Sequence, residues 1–162
     1  MTRAVLQPIL ITAVVGLVAL LAYAAQAPWL VPSVGSSAFL QVLLPDKPSA
    51  QAYDTGVGQI VGLLAGFAAV LATGAASAPV MAEGHPIALV RVGAVVLAAL
   101  LTAAVQIPLQ ALSAAGAAVA ILVATGVASS TWASFAVVAA SIGLVTASGE
   151  AARRALLALE SR

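Results

Sequence analysis

From Val5 to Ala25 the chain runs without a single charged side chain, and at about 1.5 Å per helical residue such a run crosses a hydrocarbon core of roughly 30 Å. A segment of this kind constrains the rest of the chain to structures that satisfy their own backbone polar groups inside lipid. The remaining sequence has the same character. Of 162 residues, 63% are hydrophobic and 7% are charged, whereas soluble domains carry roughly a quarter charged residues. The sequence therefore describes an integral membrane protein. Alanine, glycine and valine dominate, which suits helices whose backbones approach closely in lipid; the short alternating segments of a β-barrel are missing. The fold class expected is all-α. A cleaved signal is the competing reading of the first run, because Ala25-Gln26-Ala27 has the small-x-small form of a cleavage site, but the run is longer than signals usually are.

Pro28 and Trp29 follow, with Trp29 suited to the headgroup level. Next comes Pro32-Ser33-Val34-Gly35-Ser36-Ser37-Ala38-Phe39-Leu40-Gln41-Val42-Leu43-Leu44-Pro45. A helix from Pro32 to Leu44 would rise only about 20 Å, too short to span, so this is a half-helix or a re-entrant one. Its expected N-terminus at Ser33 to Ser37 offers free N–H groups, hydroxyls and little bulk, a setting suited to an anion. A polar connection from Pro45 to Asp54 separates it from a second long helix, about Thr55 to Ala72, on which Gly58, Gly62 and Gly66 recur every fourth residue. That doubled GxxxG pattern is expected to pack against another helix.

The loop from Thr73 to Pro86 carries Glu83 and the chain's one histidine, His85. Two such residues fall short of a metal site, and no metal or cofactor is expected. The absence of cysteine excludes disulfides and thiol chemistry. Arg91, near the start of a helix from about Ile87 to Val105, is placed to snorkel to the interface. The formal net charge of +1 gives no case for nucleic acid.

After Gln106-Ile107-Pro108-Leu109-Gln110, a second short small-residue segment runs from Leu112 to Gly126. It lines up with the first, with Ser113 facing Ser33 in the alignment and Gly116 facing Gly35. A final long helix spans Trp132 to Ser148. The expectation is six membrane helical segments forming two three-helix inverted repeats, residues 5–75 and 87–148, each with a short or re-entrant half-helix; four crossings plus re-entrant segments are the alternative, and the positive-inside count is equal for the two. This makes residues 1–148 the membrane domain. Residues 149–162, with Glu150, Arg153, Arg154, Glu160 and Arg162, are expected as an amphipathic cytoplasmic tail. Arg153 and Arg154 at one end and Arg3 at the other point to a multi-pass plasma-membrane protein with both termini in the cytoplasm.

The block from Pro32 to Leu40, the Pro-rich polar loop and Gly-rich helix after it, and Ala115-Gly116-Ala117 together resemble the HPP family of small integral membrane proteins over about Val31 to Gly149. Ala115-Gly116-Ala117 stands at the end of that family's His-Pro-Pro-Ala-Gly-Ala signature. Ser113 and Ala114 replace most of the remainder, and Tyr53-Asp54 and Gly58-Gln59 stand where the family has Arg-Asn and Gly-His. Since some members are linked to nitrite transport, the resemblance implies a small-anion permease.

The function expected is thus a transporter or channel for a small, nitrite-like anion, bound near the midplane by N–H groups around Gly35 and Gly116. The hydroxyls of Ser33, Ser36, Ser37 and Ser113 would replace the ion's water. Gln59, with Gln41 and Gln110, is a candidate polar lining. Partners expected are the lipid bilayer, the anion and a homo-oligomeric copy. The alternative is a non-transporting scaffold whose small-residue faces dock other helices; it requires Ser33 to Ser37 to be buried with no cavity. An enzyme is disfavoured, because no membrane helix pairs carboxylates or carries a His beside a serine.

Overall fold

The computed structural model describes residues 3–82, 84 and 86–160, so Glu83 and His85 lie outside the described residues. Seven α-helices are found among them: α1 (Arg3–Ala24), α2 (Leu30–Val34), α3 (Ser36–Leu43), α4 (Ala52–Thr73), α5 (Leu89–Leu109), α6 (Ala114–Ala124) and α7 (Trp132–Glu160). Four of them, α1, α4, α5 and α7, are long and apolar enough to cross a membrane, while Leu30–Leu43 and Ala114–Ala124 are shorter apolar helices.

Hydrogen bonds between helix ends fix the direction of each pass. Gln7 Nε2 donates to Val42 O at 2.9 Å, Tyr53 Oη to Leu109 O at 3.2 Å, and Arg153 Nη1 to Pro45 O at 2.8 Å. The start of α1, the ends of α3 and α5, the start of α4 and the late part of α7 therefore share one end of the bundle. At the opposite end, Met81 N donates to Thr125 O at 2.9 Å. Arg91 Nη2, Nε and Nη1 reach Ala78 O at 2.8 Å, Pro79 O at 3.2 Å and Ala124 O at 3.3 Å. Arg91 is buried within the protein; its charge rests on loop carbonyls and on the C-terminal, negative end of α6.

Two turns at matching places in the chain are built alike. After α1, Gln26 takes φ 51°, and after α5, Gln110 takes φ 52°. In both, the alanine that follows reaches back to close the helix, Ala27 N to Ala22 O at 2.8 Å and Ala111 N to Gln106 O at 3.1 Å. This is the Schellman arrangement, with glutamine in the place usually given to glycine. It turns the chain sharply into α2 and into α6.

Helix α4 is the centre of the bundle, with more of its apolar span buried than that of any other long helix. It packs on α5, α6 and α7, while α3 and α1 pack on α7. At the Arg91 end, Phe67 of α4 meets Phe135 of α7 edge to face at 5.4 Å. Residues 149–160, within the expected amphipathic tail, continue α7 without a break.

Candidate functional site

The first short helix begins at Leu30 and not at Ser33. Pro32 falls in its first turn, where a missing N–H costs nothing. The serines consequently lie inside the helical stretch, and their groups are already bonded. Ser33 Oγ donates to Trp29 O at 2.9 Å and to Leu30 O at 3.2 Å, and Ser36 Oγ donates to Ser33 O at 3.1 Å. Gly35 N donates to Val31 O at 3.0 Å. Gly35 joins α2 to α3 with helical φ and ψ, and a methyl group there would overlap the Val31 carbonyl. Ser33, Gly35 and Ser37 are buried and Ser36 is exposed.

At the second short helix, Ser113 is the N-cap of α6, and its Oγ accepts from Gly116 N at 3.1 Å. Around this cap lies a knot that includes Gln106, a residue that sequence reasoning does not single out. Its Nε2 donates to Gly58 O at 2.8 Å and to Ser113 O at 3.3 Å, and its Oε1 accepts from Ser113 N at 3.2 Å. The nearest sequence signal is a glutamine two residues before Pro108 in an apolar run. Asp54, in the first turn of α4, accepts from the Leu112 N–H and holds the same turn.

Gly58, Gly62 and Gly66 face α6. A methyl group at Gly62 would overlap the Gly116 carbonyl; at Gly58 it would lie 2.6 Å from Ala111 O, and at Gly66 2.8 Å from Ala120 O. Gly116 in turn lies against the Gly58 carbonyl. At the second short helix the Gly116 N–H is capped by Ser113 and the glycine seam is closed by backbone, and at the first the Ser33 and Ser36 hydroxyls and the Gly35 N–H are bonded within the helical stretch.

The unfilled hydrogen-bonding capacity lies elsewhere, where α3, α4 and α7 meet. Gln41 and Gln59 are fully buried, at 0% exposure. Gln59 Nε2 donates to Ser37 Oγ at 2.9 Å, but Gln59 Oε1, both polar atoms of the Gln41 amide and Thr146 Oγ1 have no partner. Ser37 and Gln41 are one turn apart on α3, so they share a face. Gly149 of α7 packs directly on the Gln41 amide, and Thr146, one turn earlier, lies against Gly56 of α4. The cluster has both donors and acceptors, and its members are uncharged. Leaving such groups unpaired in an apolar interior costs about 1–3 kcal/mol each. Gln110, the third candidate lining residue, is exposed in its turn and stands apart from the cluster.

Among the described residues no group of three or more His, Asp or Glu side chains gathers as metal ligands would. No known protein family, characterised protein or solved structure matches this chain.

Proposed function

We propose that the chain is a membrane permease for a small, nitrite-like inorganic anion, with its polar centre at Gln41, Gln59 and Ser37 and not at the two helix N-termini. The observation that carries this is the pair of fully buried glutamines in which both amide atoms of Gln41 and Oε1 of Gln59 lack partners, since polar side chains inside a membrane bundle mark solute pathways. The Gln41 amide N–H and the Thr146 hydroxyl supply donors without a fixed positive charge, so the anion is held weakly and leaves quickly, as conduction requires. The resemblance to the HPP family supports the same substrate class.

The finer architecture fits this reading. The first half, α1 to α4, starts from the end that holds Pro45 and Tyr53, and the second, α5 to α7, starts from the other end. The pairing of α4 with α6 is mirrored by that of α7 with α3, and α4 with α5 by α7 with α1. Two inverted three-pass halves would pack in this way, as many transporters do. Lys47, Arg153 and Arg154 share the end with the start of α1, while Arg91 belongs to the other, a charge bias that supports the reading of a plasma-membrane protein with both termini in the cytoplasm.

A second reading, a non-transporting scaffold, draws on one observation: the serines from Ser33 to Ser37 are bonded within the protein. Flux into proteoliposomes separates the two. Selective uptake of nitrite over nitrate, chloride and formate supports the permease, and folded protein that passes none of them favours the scaffold. Gly35→Leu is unsuitable as the control, because its side chain would strike Val31 O.

A further inference from the structure

A groove of about 740 Å³ runs between α4 and α7, walled by Gly56, Ile60, Ala139, Gly143 and Ala147. Gly143 and Ala147 are exposed, and nothing lies within 4 Å of where a methyl group at Gly143 would be. The Phe67–Phe135 pair lies one turn beyond Ala139 and joins the same two helices. The other end opens at Glu150 and Arg154.

The charges there are unequal. Glu150 accepts from Arg153 Nε at 2.8 Å and from Arg154 Nε at 2.7 Å, so two guanidinium groups share one carboxylate. Arg153 is turned toward the Pro45 carbonyl, which sets this level of α7 beside the polar α3–α4 connection and hence at the headgroup region. Arg154 bonds Glu150 through Nε alone, and its side chain is 77% exposed. From Arg154 to Ala139 the groove follows α7 for roughly 22 Å, which exceeds one half of a core roughly 30 Å thick.

We propose that this groove holds one acyl chain of an anionic phospholipid, with its phosphate on Arg154. The layout matches such a molecule: an exposed arginine, one of two guanidinium groups that share a single carboxylate, stands at headgroup level, and an apolar channel long enough for an acyl chain leads away from it. A second copy of the chain fits less well, because a twofold axis along the membrane normal would bring two Arg154 side chains together at one level. The inference is independent of the transport reading.

The test is native mass spectrometry of the purified protein titrated separately with phosphatidylglycerol and phosphatidylcholine. One phosphatidylglycerol should bind in preference to phosphatidylcholine. Arg154→Gln should weaken phosphatidylglycerol about five-fold and bring the two lipids level, while Ala147→Phe, which fills the groove from an exposed position, should lose both. Equal binding of the two lipids by the unaltered protein, or an Arg154→Gln variant that keeps the preference, overturns the proposal. So does a dimer that Ala147→Phe dissociates, because the groove then belongs to a second copy.

Discussion

Gln41 carries the sharpest consequence at the scale of single residues. Its amide is buried with neither end bonded, so Gln41→Met, close in shape and free of polar atoms, should raise stability by about 1–3 kcal/mol. Thermal unfolding in detergent reads this directly, and a Tm that falls would mean the amide has a partner. Gln106 should behave in the opposite way. Gln106→Ala removes three hydrogen bonds and leaves Gly58 O and Ser113 N short of a buried partner, at a cost of about 1–3 kcal/mol in the same assay. Both are glutamines in apolar runs, and the sequence does not distinguish them. Which one is bonded depends on a neighbouring helix, and that information is not local. Gln110→Gly should stabilise by about 1 kcal/mol, because φ 52° suits glycine and strains a side chain.

The α4–α6 seam is set by where a methyl group can go. Gly62→Ala places one on the Gly116 backbone, which cannot yield as a side-chain tip can, whereas at Gly143 and Gly93 the space is open. Gly62→Ala should therefore cost about 1–3 kcal/mol, and Gly143→Ala and Gly93→Ala should be neutral or gain up to about 1 kcal/mol. Equal effects at the three positions would contradict the seam. The four-residue spacing of Gly58, Gly62 and Gly66 is plain in the sequence, as are the four long apolar helices, because both are periodic or cumulative signals. The ends of the short helices are not. Ser33 to Ser37 has the composition of a helix start, yet Pro32 is compatible with a first turn and the helix begins earlier at Leu30. The continuation of α7 to Glu160 was legible by another route: hydropathy falls after Ser148, but Ala, Leu, Arg and Glu are all good helix formers. The unpaired cluster needs three helices to meet, so no stretch of sequence contains it.

The whole molecule has two ends, and the chain contains no cysteine to complicate labelling. Gln51→Cys and Ser129→Cys, both at exposed positions, should react with an impermeant maleimide from opposite sides of the membrane, with Gln51→Cys on the cytoplasmic side; labelling of both from one side would overturn the order of passes. The central claim is that the buried amides carry the solute, and the most direct measurement is nitrite flux into proteoliposomes by the unaltered protein and by Gln41→Met at equal amounts of folded protein. The account predicts that Gln41→Met is the more stable protein and passes nitrite at least ten-fold more slowly. Equal flux through the two proteins would contradict it.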